Sequence, residues 1–174
     1  MTKLLVLSDS HGGRAAIERV LMKESKSIDA LIFLGDGLRD LELALTLCPK
    51  LRAYSVAGNC DYGALEPTDG LAAFDGVVIF YTHGHMYGVS FELETIKDEA
   101  RARKVDIVMF GHTHKPHLEY CEDGLVVLNP GSLSYPRQDG RKPSYMLMEL
   151  DRNGEAHYTV CYVDQDRDIP SGLY

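Results

Sequence analysis

The sequence predicts an α/β fold on the border with α+β, a sheet sandwich flanked by helices, in a single domain over residues 1–174. Three observations predict it. Apolar runs of strand length alternate with helix-spaced stretches through residue 110. Beyond residue 114 the period changes to short strand-like segments joined by turn signals. Five of the apolar runs end at once in Gly, Asp, Asn or His, the kind of residue found where an open α/β sheet presents its ligand-binding edge.

Lys3-Leu4-Leu5-Val6-Leu7 reads as the first strand, and Ala16, Ile17, Val20 and Leu21 then recur at helical spacing through residues 14–24. Ala30-Leu31-Ile32-Phe33-Leu34 is the second strand. An amphipathic stretch carrying Leu38, Leu41, Leu45 and Leu47 follows and is closed by Pro49. Residues 52–57 form a third strand. A loop rich in Gly, Pro and Asp over residues 58–70 replaces the next expected helix. Residues 77–81 lead into a charged helical segment near 89–104, with Leu93, Ile96 and Ala100 facing inward, and a strand at 105–110 comes next. Segments 117–121, 125–128, 144–150 and 156–163 read as an antiparallel meander, with Glu122-Asp123-Gly124 and Arg152-Asn153-Gly154 as hairpin signals.

A chain of 174 residues is large enough to bury roughly 70% of its unfolded surface. Its 45% hydrophobic and 25% charged residues are ordinary for a globular protein. The formal net charge of −8 argues against nucleic acid as a partner, because phosphate neutralisation needs a basic face. No apolar stretch approaches the roughly 20 residues that span a bilayer, so no membrane partner is expected. Cys48, Cys60, Cys121 and Cys161 show no CxxC spacing, and no secretion signal precedes the first strand, so the expected location is cytoplasmic. The ten tyrosines are compatible with a homo-oligomer interface, dimer or tetramer, although Tyr is also an ordinary strand residue.

The five strand ends carry the chemistry. They are Ser8-Asp9-Ser10-His11, Gly35-Asp36, Gly58-Asn59, Thr82-His83-Gly84-His85 and Gly111-His112-Thr113-His114. Each alone has an ordinary explanation. Asp9 suits a helix N-cap, Gly35-Asp36 a turn and Gly58-Asn59 a left-handed turn. Together they place five of the seven histidines in three loops at strand ends, which independent structural accidents do not explain. Imidazole and carboxylate without thiolate suit Mn, Fe, Co, Ni or Zn rather than a structural zinc finger. Roughly seven ligands exceed the needs of one tetrahedral ion, and a shared carboxylate between two ions resolves the count. Two such ions, about 3.5–4 Å apart, activate a bridging water for in-line attack on phosphorus.

Asp9-x-His11, Gly35-Asp36, Gly58-Asn59, His83 and Gly111-His112-Thr113-His114 resemble, in order, the motif set of the calcineurin-like metallophosphoesterases. The resemblance covers nearly the whole chain and points to the small bacterial and archaeal phosphodiesterases of the YfcE type, to which Asn129-Pro130-Gly131-Ser132 and Tyr135-Pro136-Arg137 are also similar. It implies a four-layer α/β/β/α sandwich of two mixed sheets. It also implies a first metal held by Asp9, His11, Asp36 and His114, and a second completed by Asn59, His83 and His112, with Asp36 bridging. The cofactor expected is two divalent ions, manganese first, with nickel, iron, cobalt or zinc as alternatives. The expected reaction is hydrolysis of a small organic phosphodiester by a metal-bridging hydroxide.

Many members of that family have His directly after the Gly-Asn pair, credited with protonating the leaving oxygen. This chain has Cys60 there, as Gly58-Asn59-Cys60-Asp61. A thiol with a pKa of about 8.5 is a poor geometric substitute for imidazole, and Cys60 is read as catalytically passive. His85 is placed to touch substrate phosphate or to replace the missing acid, its alternative being a hydrogen-bond partner of the ligands. Arg137 is a candidate clamp on a phosphate oxygen or a plain surface cation. His117 and His157 are read as structural. Two rival functions remain: a scaffold of the kind seen in a eukaryotic retromer subunit of this fold, whose metal site is depleted, and a phosphomonoesterase or nuclease using the same centre. The loops at 60–70 and 132–143, which would choose between substrates, carry no readable code.

Overall fold

The computed structural model describes residues 1–163; the last eleven residues of the expected domain lie outside that range. Ten strands and three α-helices follow one another as β1 (Thr2–Leu7), α1 (Arg14–Glu24), β2 (Ala30–Phe33), α2 (Leu38–Ala44), β3 (Arg52–Ser55), β4 (Asp69–Phe74), β5 (Val77–Thr82), α3 (Glu94–Ala102), β6 (Ile107–Met109), β7 (Pro116–Tyr120), β8 (Val126–Pro130), β9 (Ser144–Leu150) and β10 (Ala156–Tyr162). A 3-10 turn over Leu45–Leu47 extends α2, and another spans His85–Tyr87.

The strands form two five-stranded sheets, ordered β10-β9-β1-β2-β3 and β4-β5-β6-β8-β7. In the first, β1, β2 and β3 are parallel and β9 and β10 add antiparallel strands at one edge. In the second, β5, β6 and β8 are parallel, with antiparallel β4 and β7 at the two edges.

The period of two along each strand sorts side chains into layers. Leu5 and Leu7 of β1, with Leu31 and Phe33 of β2, pack on Ile17 and Leu21 of α1 and Leu41 of α2. Leu4, Val6 and Ile32 turn the other way and meet Ile79, Met109 and Leu128 of the second sheet. Phe80, Val108 and Val127 face outward again and are covered by Ile96 and Ala100 of α3. The order is therefore helix, sheet, sheet, helix, the four-layer sandwich that the family resemblance implies. Burial on both faces explains why the central strands read as continuous apolar runs and not as alternating ones.

Several details differ from the expectation. The five strands that deliver polar groups do not belong to one sheet: three lie in the first and two in the second. The second half is not one meander, because the β7–β8 hairpin joins the second sheet while β9–β10 crosses to the first. A single meander of four strands would cover only one of β1 and β6 and leave the other open, and splitting the hairpins covers both. The loop predicted over 58–70 gives way to β4 at Asp69, and the helix predicted over 89–104 shortens to Glu94–Ala102. The Glu92 carboxylate receives the N–H groups of Glu94 and Thr95 and starts that helix there.

Candidate metal centre

The carboxyl ends of β1, β2, β3, β5 and β6 meet at one rim of the sandwich. Backbone hydrogen bonds knit the loops beyond them: Asp9 N–H to Gly35 O at 3.0 Å, His11 N–H to Asp36 O at 3.0 Å and Gly111 N–H to His83 O at 3.0 Å. Two further bonds cross between the sheets, from the His83 ring to Leu34 O at 2.6 Å and from His112 N–H to Asp9 Oδ2 at 3.1 Å.

The backbone here is strained. Asp9, His11, Asp36, His112 and His114 have φ of 56°, 41°, 58°, 66° and 59°. A non-glycine residue in this left-handed region costs on the order of 1 kcal/mol and persists only where its surroundings fix it. Four side chains do the fixing. Asp61 accepts the N–H groups of Asp36, Gly37, Leu38 and Gly58 at 2.7–2.9 Å, which caps α2 and holds Asp36 in place. Asp40 accepts Ser10 Oγ and Gly12 N–H at 2.7 and 2.8 Å. Asn129 donates to Gly111 O and Thr113 Oγ1 at 2.8 and 3.0 Å and steadies the His112-Thr113-His114 turn. Ser132 donates to Asp9 O at 2.8 Å.

The glycines that precede the candidate ligands are required by close approach. A Cβ on Gly58 would lie 2.6 Å from Asp36 N and 2.7 Å from Asp36 Cγ, and one on Gly111 would lie 2.9 Å from Asp9 Oδ2.

Seven side chains converge as a result, and they fall into two groups. Asp9 Oδ1 lies 3.1 Å from His114 Nε2 and 3.5 Å from His11 Nε2, while the two Nε2 atoms are 3.1 Å apart. In the other group His83 Nε2 lies 3.3 Å from His112 Nδ1, 3.1 Å from Asn59 Oδ1 and 3.3 Å from Asp36 Oδ2. That same Asp36 oxygen is 3.7 Å from His11 Nε2 in the first group. Asp36 Oδ1 is held aside by the Cys60 N–H at 2.7 Å.

The donor set fits cations. His83 and His114 each spend Nδ1–H on a backbone carbonyl, Leu34 O and Tyr135 O, which leaves Nε2 as a lone pair aimed inward. Lone pairs then face one another at hydrogen-bond distance, an arrangement that needs protons or cations between them. Asp9 Oδ1, buried with the rest of its residue, has no hydrogen-bond partner among the described residues. Two buried carboxylates, Asp9 and Asp36, demand compensation by positive charge.

The electrostatics agree. Burial opposes ionisation of Asp9, yet the His11 and His114 rings hold its carboxyl well below the usual range. Burial opposes ionisation of Asp36 as well, and His83 overrides it. His11 is pushed up by Asp9, and His83 is pushed up by Asp36 against its own burial. His112 is pushed down by burial and by His83. The field that draws protons to these rings also attracts a divalent ion.

The remaining sequence candidates are arranged around this core. The His85 ring is 5.3 Å from that of His83 and 6.2 Å from that of His112. Its Nδ1 is buried without a hydrogen-bond partner among the described residues, so it does not tether the ligands, and burial pushes its pKa down. Cys60 is exposed, receives the Asn59 amide at 3.4 Å, and has its thiol pKa pushed up by burial and by Asp36. Arg137 lines a groove beside His11 and His114. His117 bonds Glu119 at 3.2 Å, and His157 follows the β9–β10 hairpin at the sheet edge opposite Asp9. Asp40, Asp61, Asn129 and Ser132 escaped the sequence reading as positioning groups. The only signal was their presence inside the motif segments or on α2.

Residues 2–153 match the model of the calcineurin-like phosphoesterase superfamily domain. The chain is similar to a probable metallophosphoesterase, YsnB of Bacillus subtilis, at 31% identity over 93% of this chain and 90% of that one. It is similar to the phosphodiesterase YfcE of Escherichia coli at 30% identity over 87% and 89%. Among solved structures, a predicted phosphoesterase of Streptococcus pneumoniae superposes with a TM-score of 0.76 at 26% identity, over 92% of this chain and 97% of that one. Vps29 of Entamoeba histolytica in complex with zinc superposes at 0.71 and 22% identity over 94% and 100%, a likeness of fold alone.

Proposed function

The chain belongs to the calcineurin-like phosphoesterase superfamily, and from that premise we propose that it is a dinuclear-metal phosphodiesterase acting on small organic phosphodiesters. The observation that carries the reading is the position of Asp36 Oδ2, 3.3 Å from His83 Nε2 in one group and 3.7 Å from His11 Nε2 in the other. An oxygen between two ligand groups is what a bridging carboxylate requires.

In this reading Asp9, His11 and His114 hold one ion, Asn59, His83 and His112 hold the other, and Asp36 serves both. Two divalent ions so held lower the pKa of a water toward neutrality and polarise phosphoryl oxygens. The protein's own contribution is position. Asp61 and Asn129 fix the loops, Leu34 O and Tyr135 O fix two ring tautomers, and the strained ligands are presented ready-made. His85, whose ring lies 5.3 Å from that of His83, is the side chain we assign to bond a substrate phosphoryl oxygen or to move a proton to the leaving oxygen. The oxygen- and nitrogen-rich ligand set suits manganese, with nickel, iron, cobalt or zinc as alternatives. Four unpaired cysteines are compatible with a reducing cytoplasm.

The test is a panel of aryl phosphomonoesters and phosphodiesters with each metal, on wild type and Asp36→Asn. The diester should be preferred, and the variant should fold but lose hydrolysis. Near-wild-type turnover by Asp36→Asn would refute the shared carboxylate.

The fold likeness to Vps29 gives the scaffold reading its one specific support. Against it stands the full ligand set in this chain. Protein that is inert toward the panel in every metal, yet purifies with a protein partner, would decide for the scaffold.

A further inference from the structure

Beside the candidate centre a groove of about 500 Å³ opens from His11 and His114 along Ser134 and Tyr135 to Arg137 and Arg141. We propose that this groove is a second anion subsite, which selects phosphodiesters whose non-leaving ester arm ends in a phosphate group. The inference rests on the phosphodiesterase reading and names the class of substrate for that same site.

Charge is the first argument. The reacting phosphodiester carries one negative charge, which two divalent ions already match after the Asp9 and Asp36 carboxylates and a bridging hydroxide are counted. Two additional guanidiniums are superfluous for that group but match a second, dianionic one. Among the described residues the arginines paired with carboxylates are Arg14, Arg101 and Arg103, and neither Arg137 nor Arg141 is among them. In a chain of net charge −8 these two cations remain available at the mouth of the site. A planar guanidinium recognises phosphate through paired N–H bonds, so two of them define a directional seat.

The second argument is attachment. The loop bearing the arginines is bonded to the candidate ligand His114 from both sides. The His114 ring donates to Tyr135 O at 2.8 Å, and Arg137 N–H donates to His114 O at 2.9 Å. Further along, Arg141 N–H bonds Gln138 O at 3.0 Å and the Gln138 amide bonds Lys142 O at 2.6 Å. The backbone that carries the two arginines is thus tied to the metal ligands, while their side chains are exposed and free to turn toward a bound anion. The third argument is the wall between them. Tyr135 is 59% exposed and its ring stands edge-on to His11 at 5.6 Å, offering an apolar face to the carbon linker of the arm. A groove of this size suits such a linker and a phosphate.

The test compares three p-nitrophenyl diesters on manganese-loaded protein, with ethyl, 2-phosphoethyl and 2-carboxyethyl as the second arm. All release p-nitrophenolate, so the leaving group is constant. Wild type should show kcat/KM at least tenfold higher for the phosphoethyl ester than for the ethyl ester, with the carboxyethyl ester well below the phosphoethyl one. Arg141→Ala should bring the phosphoethyl-to-ethyl ratio near one. Because the readout is a ratio, a general loss of activity does not imitate it. A wild-type ratio near one, a preference that survives in Arg141→Ala, or a carboxyethyl ester as good as the phosphoethyl ester would each overturn the subsite. Calorimetric binding of propane-1,3-bisphosphonate against propylphosphonate separates this from the underlying reading. If no diester is hydrolysed, the phosphodiesterase reading fails. The subsite then stands if the bisphosphonate binds tenfold tighter to wild type but not to Arg141→Ala, and falls if it does not.

Discussion

The carboxylate of Asp61 accepts the backbone N–H of Asp36 at 2.7 Å. Its other bonds, to Gly37, Leu38 and Gly58, make it the hub between the loop after β2 and the loop after β3. Each Asp61 oxygen receives two N–H groups. In Asp61→Asn one oxygen becomes an NH2, and either amide orientation leaves two backbone donors facing a donor. Each part-buried N–H left unsatisfied costs on the order of 1 kcal/mol, so the variant should lose about 2 kcal/mol of stability. Metal affinity should fall 10- to 100-fold, as expected when a group that orients ligands is lost. Denaturant melts and metal titration check both.

Gly58→Ala and Gly111→Ala should damage the centre while leaving both sheets intact. The added methyl on Gly58 overlaps Asp36, and the one on Gly111 approaches Asp9 and Ser8. Neither Asp can retreat without losing its place among the rings. Expected are folded proteins with near-native circular dichroism and at least a hundredfold lower hydrolysis. Retained metal binding in Gly58→Ala would show that Asp36 has more room than its contacts imply.

These two cases mark where the sequence was legible. Ligand identity could be read because Asp, His and Asn recur at strand ends, and each type has few other reasons to sit beside glycine. The helix α1 could be read because Ile17, Val20 and Leu21 lie on one face. Strand β4 was missed because Gly70, Ala72 and Ala73 carry little strand preference and Asp69 reads as loop. Which strands belong to which of the two sheets was not legible, because a strand buried on both faces looks the same in either one. Asp61, Asp40 and Asn129 were missed because a polar side chain that serves distant backbone groups leaves no periodicity. Most of the partners named above lie 16–30 residues away in the chain.

The ion pair that anchors α3 to the second sheet gives a pH prediction away from the centre. Lys97 Nζ lies 2.7 Å from Glu119 and 3.1 Å from Glu94. The hydrogen bond from Lys97 holds the Glu119 carboxyl below its ordinary pKa, and His117 adds to this. A depressed carboxyl pKa stabilises the fold above the unfolded value and loses that effect as pH falls through the folded value. Glu119→Gln should therefore cost about 0.5 kcal/mol near neutrality, a small figure because the pair is partly screened by water. The gap between variant and wild type should close as pH falls through the lowered Glu119 pKa, beneath the ordinary carboxylate range. A gap that is constant across pH would assign the loss to packing.

Cys60 stands where many relatives of this family carry histidine, and burial and the Asp36 carboxylate push its thiol pKa up, away from the thiolate. An aryl leaving group needs little protonation. Cys60→Ser should then turn over aryl diesters within about threefold of wild type. A hundredfold loss would make the thiol a participant. The Cys60 N–H bond to Asp36 Oδ1 survives in this variant, so a loss could not be blamed on the backbone.

Metal removal provides the sharpest check on how many ions Asp36 serves. Loading one independent site at about a hundred times its dissociation constant adds about 2.7 kcal/mol to stability. For a domain of this size that is a rise in Tm of roughly 5–10 °C, reversed by chelator. Wild type should take two ions per chain and show the larger shift. The decisive comparison is Asp36→Asn. If Asp36 Oδ2 belongs to one group only, the variant keeps one full-strength ion and about half of the thermal shift. If it is shared, as its distances to His83 and His11 imply, the loss weakens both ions together. Metal analysis should then find well under one ion per chain after dialysis, and the chelator-dependent shift should nearly vanish. One retained tight ion would divide the seven ligands into independent sites and remove the reason for a bridge.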